Sequence, residues 1–339
     1  MKKLLFLSLL GAAAFQVQAQ VVLNENFNSY VAGNVGTATN GTTPGQGTWY
    51  PLQGTVADHQ FVTIDAAHGL SYQMISGAGS AAANHRAAVK ELTVTTGTAG
   101  NDILVGTVDL YTGPATTGSG RLGVQVYDLT YSSTAATGFA GIYYDYATKK
   151  LGGYAHLTDA TTLMAGFYSI NFTTTVTYPE NTWIPVSFRY NKSTGQYSWV
   201  FPHGTATFTN TNYIPSTNMI PEELNLVNLV GTSAPLNTQI NTGAFDNLNL
   251  QFTNAAALST SDVEIPVSVF RIYPNPATDV LNFEYSGKVK GVTIYDMSGK
   301  KMKTKADEKS VSISHLLPGA YIVVLSTDEG DLTERFIKK

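Results

Sequence analysis

The stretch Thr182–Gly204, TWIPVSFRYNKSTGQYSWVFPHG, decides the fold class. In its first half Val186, Phe188 and Tyr190 alternate with polar residues, which is the period of two of a half-buried β-strand. The segment 191–195, NKSTG, separates this run from a second alternating run. Its Asn and Gly supply the positive φ angles that a tight turn needs. The stretch therefore predicts a β-hairpin.

The same alternation recurs along the chain between clusters of Gly, Asn, Thr and Pro. Leu122, Val124 and Val126, for example, alternate with Gly123 and Gln125. Helical periodicity is almost absent after residue 19, and only the segment 221–229 would suit a short helix. The body of the chain is therefore predicted to be all-β, as a two-sheet sandwich of roughly a dozen strands.

Charge limits the classes of partner. Only 13% of the residues are charged, so Thr, Asn, Ser, Gly and Tyr must form much of the surface. Residues 21–255 hold seven Lys and Arg against thirteen Asp and Glu, a net charge of −6, and residues 256–339 hold eleven of each. Neither part has the clustered positive charge that nucleic acid requires. A surface of this kind suits neutral polar partners such as sugars.

The N-terminus carries an export signal. Lys2 and Lys3 precede an apolar run, 4–15, and Val17-Gln18-Ala19 fits cleavage after Ala19. We therefore predict a signal peptide at residues 1–19 that uses the Sec machinery, because the run is too short to cross a bilayer as a mature helix. No other segment approaches that length, so no membrane span is expected in the mature chain. The absence of cysteine excludes disulfides and the lipid-bearing cysteine of a bacterial lipoprotein.

The hairpin of Thr182–Gly204 resembles one found in laminin-G-like and concanavalin A-like sandwiches, where a Trp opens the first strand and a Thr-Gly turn follows. Runs similar to Asn24–Phe27 and Phe245–Leu250 begin and end many sandwiches of this type, whose first and last strands lie side by side. The resemblance implies a concanavalin A-like jelly-roll β-sandwich over residues 20–254.

The C-terminal part contains three ordered runs, FRIYPNPATDVLNFEYS from Phe270, VTIYDMSGKK from Val292 and LPGAYIVVLSTDEGDLTERFIKK from Leu317. Together they resemble the type A C-terminal sorting domain that Bacteroidota use for type IX secretion. The residues that carry this resemblance are Tyr273, Pro274, Asn275, Pro276, Gly299, Pro318, Gly319, Tyr321, Lys338 and Lys339.

The resemblance implies a small immunoglobulin-like β-sandwich at residues 268–339, recognition by the outer-membrane translocon, and release or anchoring at the cell surface. Residues 255–267 are small and polar, which is typical of a linker. Members of this family commonly lose the sorting domain to a surface peptidase, which would cut in or near this linker.

A structural calcium is one expectation from the ends of the body. Many sugar-binding sandwiches hold this ion where the first and last strands meet, and Glu25 and Asp246 occupy those two positions here. Carboxylate oxygens are hard ligands that suit calcium. The alternative is that Asp246 only accepts a hydrogen bond within a turn.

Catalytic motifs are weak in the body. The Glu-x-Asp-x-x-Glu run of concanavalin-like glucanases is missing, and Asn84-His85-Arg86 only partly matches the Arg, Gln, His and Tyr set of alginate-lyase-like sandwiches. The segment DHQFVTIDAAHG brings Asp58, His59, Asp65 and His68 within eleven positions. A metal site would require these side chains to converge, so an exposed polar loop is the favoured interpretation.

Aromatic residues are the main candidates for ligand binding, because sugar rings stack on exposed Trp and Tyr faces. Trp49 and Tyr50 lie in a Gly/Pro/Thr-rich segment, which favours exposure. Tyr143 and Tyr144 flank a second predicted hairpin across residues 147–150. Packing beneath a loop is nevertheless the favoured interpretation even for Trp49 and Tyr50, because most aromatic residues are buried.

These features favour an exported, non-catalytic carbohydrate- or polymer-binding module of the lectin or adhesin kind. The competing interpretation is a secreted polysaccharide lyase or glycoside hydrolase on the same fold. A sheet face carrying convergent acids, or an Arg/His/Tyr set from several strands, would favour the enzyme; an apolar or covered face would favour the binding module.

Overall fold

The computed structural model of the chain describes residues 19–132, 135–174, 176–255, 258, 271–284, 289–296, 300–302, 305–306, 309–327 and 331–339. Almost all of the predicted signal peptide, most of the predicted linker, and Gly299 of the predicted sorting signal lie outside them. The chain divides into two compact units, Met1–Ile265 and Pro266–Lys339. We call them the body and the sorting domain.

The body is built of antiparallel strands. Its strands are β1 (Gln20–Glu25), β2 (Gly33–Asn34), β3 (Tyr50–Leu52), β4 (His59–Thr63), β5 (Leu70–Ile75), β6 (Arg86–Glu91), β7 (Ile103–Tyr111), β8 (Gly120–Asp128), β9 (Thr137–Asp145), β10 (Lys150–Asp159), β11 (Ala165–Asn171), β12 (Trp183–Asn191), β13 (Tyr197–Phe201), β14 (Gly204–Thr207), β15 (Tyr213–Pro215), β16 (Glu223–Val230) and β17 (Thr242–Thr253). Three single 3₁₀ turns lie at Gln46–Thr48, Val56–Asp58 and Ala82–Asn84.

Two sheets form the sandwich. Sheet A has the order β14-β13-β12-β7-β17-β5-β4-β2, with β1 also on β17, and sheet B has the order β11-β10-β9-β8-β16-β6-β3, with β15 also on β10. Apolar side chains of both sheets form one continuous core between them. The predicted all-β class and the jelly-roll sandwich are confirmed.

The hairpin predicted at Thr182–Gly204 is formed by β12 and β13, in the register Phe188↔Trp199. Val186, Phe188 and Tyr190 are all buried, as their alternation predicts. The first and last strands of the body are also paired, with Glu25 opposite Leu248.

The short helix expected at residues 221–229 is wrong. Strand β16 occupies this segment and lies between β6 and β8. Leu224 and Leu226 enter the core while Asn225 between them does not, so the segment follows the period of a strand. Pairing on both sides supplies every backbone partner that a helix would otherwise provide.

The sorting domain contains two four-stranded sheets. Its strands are β18 (Arg271–Tyr273), β19 (Val280–Glu284), β20 (Val289–Asp296), β21 (Lys301–Met302), β22 (Lys305–Ala306), β23 (Ser310–Ser312), β24 (Gly319–Thr327) and β25 (Asp331–Lys338). The sheet orders are β18-β19-β23-β22 and β21-β20-β24-β25. Leu281, Ile294, Val311, Val323 and Phe336 lie in its separate core. The predicted small immunoglobulin-like β-sandwich is confirmed.

Among the described residues there is no helix with the length and hydropathy of a membrane span.

Candidate functional site

The outer face of sheet B, the side away from the core, brings polar residues from several strands into one row. The register places Tyr50 opposite Val89, Val89 opposite Asn225, and Asn225 opposite Gln125. The row continues through Gly141 to Tyr154 and ends at Ser169. We call this surface, with its neighbours Arg121, Tyr127, Tyr143, Asp145, Asn171 and Glu223, the sheet B face.

Glycines form the floor of this face. A Cβ atom at Gly152 would lie 2.2 Å from Cζ of Tyr143, and one at Gly138 would lie 2.7 Å from the ring of Phe167. Both rings therefore lie flat against the sheet, over positions that no larger residue could occupy. This explains how Tyr143 can be 1% exposed although it points away from the core.

Arg121 covers the Tyr143 ring. Its guanidinium carbon lies 4.5 Å from the ring centroid, a cation–π contact. Its Nε lies 3.8 Å from Oδ2 of Asp145, and another nitrogen donates a hydrogen bond to Ser169 on β11. The Tyr143 hydroxyl donates to Oδ1 of Asn171 at 2.9 Å. Arg121 is therefore fixed by partners on two strands, β9 and β11, while about a third of its side chain remains exposed.

Two buried polar atoms of this face lack a partner. Within the part of the chain that the structure describes, Tyr154 Oη and Asn225 Oδ1 make no hydrogen bond. Burial raises the pKa of the Tyr154 hydroxyl, and Arg121 and Gln125 beside it oppose that shift. An unpaired buried polar atom costs about 1–3 kcal/mol, so two on one face require an explanation.

The acidic side of the face is formed by Glu223. Asn225 Nδ2 donates to Oε1 of Glu223 at 2.9 Å, and Tyr127 Oη donates to Oε1 of Gln125 at the same distance. Burial raises the pKa of Glu223, and Glu91 adds to this effect while Asn225 opposes it. Burial, with Tyr154 and Glu223 nearby, raises the pKa of Tyr127 to about 12. Donors, acceptors and a carboxyl group thus stand side by side.

Trp49 is buried, which is the favoured of its two interpretations, so it is not an exposed ring for a ligand. Its ring is 0% exposed and lies 6.0 Å from Phe27 and 5.8 Å from Tyr72 between ring centroids. Tyr144 is also buried in the core, because adjacent residues of a strand point to opposite sides and Tyr143 points outward. Neither ring offers a face to a sugar. Of the four aromatic candidates, Tyr50 and Tyr143 lie on the sheet B face.

The Asp/His segment before residue 69 does not form a metal site in the described residues. Asp58 Oδ2 lies 3.2 Å from Arg86 Nη2. His59 is fully buried and contacts the hydroxyl of Tyr72 and the carbonyl of Gln53. Burial lowers the pKa of His59, so its neutral form is favoured. These residues tie loops to the sheets rather than line an exposed loop.

Asp65 and His68 belong to a second group, which we call the sheet A network. His68 stacks on Trp183 with ring centroids 4.0 Å apart. Its Nδ1 contacts Asp65 Oδ1 at 2.9 Å, and its Nε2 lies 3.5 Å from Asp109 Oδ2. Trp183 donates to Asp65 at 2.8 Å, and Asn247 Nδ2 donates to Asp109 at 2.8 Å. Nearly every polar atom of this network therefore has a partner.

The two residues predicted to bind calcium have different environments. Glu25 accepts hydrogen bonds from the backbone N–H of Phe27 at 3.0 Å and from the hydroxyl of Tyr30 at 2.5 Å. Asp246 is fully buried, and its Oδ2 has no partner among the described residues. Burial raises the pKa of Asp246 to about 6, although the N–H of Asn247 opposes this shift. Asp246 thus has an oxygen free for a cation, whereas Glu25 is engaged by the protein itself.

Asn84-His85-Arg86 lies away from the sheet B face. The Nδ1 of His85 accepts a hydrogen bond from the backbone N–H of Val230, and Arg86 contacts Asp58. The arginine, glutamine and tyrosine that do converge are Arg121, Gln125 and Tyr154. The alternation Leu122, Val124, Val126 already places Arg121 and Gln125 on the opposite side of β8, but the neighbours of β8 cannot be read from it.

The sorting-signal residues are brought together in the sorting domain. Asn275 donates to the carbonyl of Arg335 at 3.1 Å and accepts from the N–H of Ile337 at 3.0 Å. Tyr273-Pro274 and Asn275-Pro276 are cis peptides, and Ala277, which follows them, bridges to Lys338. The Tyr321 hydroxyl donates to the carbonyl of Leu317, next to Pro318 and Gly319. The YPNP segment is thus bound to the C-terminal strand that ends at Lys338 and Lys339.

Comparison with known families agrees with this part of the chain. Residues 271–339 match the family described as the secretion system C-terminal sorting domain. The predicted type IX sorting domain is therefore confirmed. It directs the protein across the outer membrane to the cell surface or the extracellular space, which implies the secretion machinery as a partner.

The body is similar to several solved structures at low identity. An alginate lyase from a Chlorella virus matches with a TM-score of 0.41 at 12% identity, over 61% of this chain and 93% of the other. A Bacillus licheniformis β-glucanase matches with a TM-score of 0.42 at 12% identity, over 70% and 100%. An endo-β-1,4-glucuronan lyase from the fungus Trichoderma reesei matches with a TM-score of 0.40 at 7% identity, over 70% and 95%. No curated protein is similar in sequence to the chain.

Proposed function

We propose that the exported body binds a carbohydrate polymer across the sheet B face, in the manner of a lectin or adhesin. The observation that carries this proposal is the pair of buried polar atoms without partners, Tyr154 Oη and Asn225 Oδ1, in one row across the sheet. Sugar hydroxyl groups donate and accept hydrogen bonds, so a bound chain would satisfy both atoms once the side chains that cover them move aside.

The shape of the row suits a polymer. It crosses β3, β6, β16, β8, β9, β10 and β11 from Tyr50 to Ser169, perpendicular to the strands. At a strand spacing of about 4.8 Å this row is roughly 29 Å long, which accommodates several sugar units. Tyr50 at one end is half-buried and retains ring surface for stacking. Asn225 provides a hydrogen-bonding group at an intermediate position, and Ser169 provides one at the other end.

The test is affinity electrophoresis and calorimetry of the full mature chain against a set of insoluble and soluble polysaccharides. Asn225→Ala is expected to weaken binding about tenfold, the loss of one well-placed hydrogen bond. Asn249→Ala is the matched control, since this asparagine lies on β17 of sheet A. Equal binding by both variants, or no binding to any polysaccharide, would overturn the proposal.

A polysaccharide lyase is the second candidate, and one observation favours it. The Tyr154 hydroxyl lies beside Arg121 and Gln125, which partly offset the rise in its pKa that burial causes. β-Elimination from a uronate needs a base near the sugar C5 and a cation or amide to stabilise the charge on its carboxylate. In this arrangement the deprotonated Tyr154 would take the C5 proton and pass it to the departing O4, so that the C4–O4 bond breaks as the C4–C5 double bond forms. Arg121 and Gln125 would hold the carboxylate.

One assay distinguishes the two candidate functions. Incubation with uronate polymers would release products with an unsaturated uronate, detected by ultraviolet absorbance, if the lyase hypothesis is correct. Tyr154→Phe would then abolish release and leave the affinity for the polymer within a few-fold. Binding without release supports the lectin-like function and rejects the lyase.

A further inference from the structure

A second concavity lies at one edge of the sandwich, between the outermost strands of the two sheets. Strand β11 ends sheet B, and strand β14 ends sheet A. The space between them has a volume of about 620 Å³ and opens to solvent. We call it the edge cleft. Its volume lies within the range of small-molecule binding sites, about 300–1,000 Å³.

The floor of the edge cleft is aromatic. Phe172 and Phe201 stack with centroids 5.1 Å apart at an interplanar angle of 10°, and Trp199 lies 5.3 Å from Phe172. Two further rings, Tyr168 and Tyr213, meet at 5.2 Å on the wall and are only half-buried. A ligand in the cleft would therefore contact the flat faces of several rings.

The remaining lining is polar but uncharged. Among the described residues it includes five threonines and two asparagines, and no Asp, Glu, Lys, Arg or His. Thr205, Thr207 and Thr209 follow β14 and its exit, and Asn171 stands at the end of β11. A charged ligand would find no counter-ion here and would lose its hydration, which is unfavourable. The lining thus selects for a neutral molecule.

Aromatic faces together with hydroxyl and amide groups match the chemistry of a sugar ring. The C–H face of a pyranose packs on an aromatic ring, while its hydroxyl groups exchange hydrogen bonds with Thr and Asn. A purely aliphatic ligand would leave the threonine hydroxyl groups without water and without partners. The balance of lining groups therefore favours a carbohydrate over an acyl chain.

The edge cleft adjoins the row of residues on the sheet B face at one end. Ser169, the last residue of the row, and Asn171 both line the cleft, together with Tyr168 and Ile170 of the same strand. Neither Asn225 nor Tyr154, the residues with unpaired atoms, lines the cleft. Changes at these two residues therefore distinguish binding in the cleft from binding along the rest of the row.

We infer that the edge cleft is a binding site for a neutral oligosaccharide, held by stacking on Tyr168 and Tyr213 and by hydrogen bonds from the threonines of β14. Trp199 in its floor provides an intrinsic signal, because a ligand over Phe172 and Phe201 changes the surroundings of its indole.

The experiment titrates the full mature chain with cellohexaose, maltohexaose, mannohexaose and xylohexaose while tryptophan fluorescence is recorded. A hexamer of galacturonate serves as the charged probe and decanol as the apolar one. We expect saturable binding of at least one neutral hexamer, and at least tenfold weaker binding of the galacturonate hexamer.

Two variants locate the site. Tyr213→Ala removes a half-buried ring from the wall of the cleft and is expected to weaken binding at least tenfold. The isosteric Thr207→Val, at an exposed position of the edge strand, is expected to weaken binding about threefold to tenfold. Thr63→Val, at an exposed position of β4, is the matched control and should bind normally. Asn225→Ala should also bind normally, which separates this site from the sheet B face.

Three results would overturn the inference. The first is that no neutral hexamer binds. The second is that Thr207→Val and Thr63→Val bind with equal affinity and Tyr213→Ala binds with unchanged affinity. The third is saturable binding of decanol without binding of any sugar. Thermal melts of each variant confirm that it is folded.

Discussion

The outer faces of the two sheets carry polar networks that differ in how completely they are paired. In the sheet A network both ring nitrogens of His68 face carboxylates, and the indole N–H of Trp183 donates to Asp65. On the sheet B face, Tyr154 Oη and Asn225 Oδ1 are buried without partners. A fully paired network stabilises a fold, whereas a partly paired one leaves binding capacity for another molecule.

This difference favours the proposal that recognition takes place on sheet B. Strands of sheet A also carry buried polar atoms without a partner among the described residues, namely Ser71 Oγ, Arg189 Nε and Asp246 Oδ2. Asp246 lies beside the sheet A network, opposite Asp109 in the register of β17 and β7. A cation at Asp246 Oδ2 would give this oxygen a partner, as the structural calcium that the sequence predicts would do. Stability experiments on both faces test these differences.

The largest effect is expected from Gly152→Ala. The added Cβ would lie 2.2 Å from Cζ of Tyr143, so the ring and the Arg121 guanidinium above it must move. We expect a loss of about 1–3 kcal/mol of stability, a fall in Tm of roughly 3–10 °C, and loss of polysaccharide binding.

Gly166→Ala on β11 is the control for this change, because its Cβ would approach no atom closer than 3.3 Å. Calorimetric melts and the binding assay check both variants. Similar stability of the two variants would mean that the glycine floor does not hold the sheet B face in place.

The next effect concerns Asp246→Asn. Burial raises the pKa of Asp246 to about 6, above the unfolded value of about 3.9, so the folded state binds more protons between these pH values. Without calcium, stability should therefore fall as pH rises from about 4 to about 6 and stay low above that range. The variant should remove this slope and gain about 2 kcal/mol at pH 7.5 in chelator.

The second part of this experiment measures the effect of added calcium on the Tm. If the ion binds Oδ2 of Asp246, millimolar calcium raises the Tm of the natural chain at pH 7.5 and leaves that of Asp246→Asn unchanged. Asp102→Asn, at an exposed position, is the control. A calcium response that persists in Asp246→Asn would exclude this residue as a ligand.

Tyr154→Phe and Tyr143→Phe should have opposite effects, although both remove a buried hydroxyl from the sheet B face. Tyr154 Oη has no partner, so its removal should raise stability by about 1 kcal/mol. Tyr143 Oη donates to Asn171, so its removal should lower stability by about 0.5–1.5 kcal/mol. Urea unfolding of both variants without ligand measures the difference. Equal signs would show that the Tyr154 hydroxyl is satisfied in solution.

The sequence predicts those parts of the molecule that depend on local pattern. Alternation identifies the hairpin of β12 and β13, and short motifs identify the sorting domain, because both are determined by neighbouring residues. The same alternation shows that Tyr143 and Tyr144 point to opposite sides of β9. The Gly/Pro/Thr-rich surroundings of Trp49 indicate a loop, but the burial of its ring depends on the distant Phe27 and Tyr72.

The sheet B face depends on strand order, which local pattern does not contain. Asn225 and Gln125 are separated by 100 positions and become neighbours only because β16 pairs with β8. The absence of a side chain at Gly152 on β10 matters only because the ring of Tyr143 from β9 lies over it. The residues that converge on this face could therefore be named individually from the sequence, but their convergence could not.

The smallest effect is expected from Asp65→Asn in the sheet A network. Burial acts to raise the pKa of Asp65, but hydrogen bonds from His68 and Trp183 outweigh it, so the pKa lies below its usual value. The lowered pKa stabilises the fold above about pH 4, and this contribution is lost as pH falls through the folded pKa. Because 42% of the Asp65 side chain is exposed, the loss in the variant should be below about 1 kcal/mol at pH 7.

At pH 3 the Asp65→Asn variant and the natural chain should therefore be closer in stability than at pH 7. Guanidinium unfolding at the two pH values measures this, with Asp102→Asn as the exposed control. If the deficit is the same at both pH values, the carboxylate charge contributes nothing and Asp65 acts only through its hydrogen bonds with His68 and Trp183. In that case the contrast between the two faces would rest on hydrogen-bond pairing without any charge.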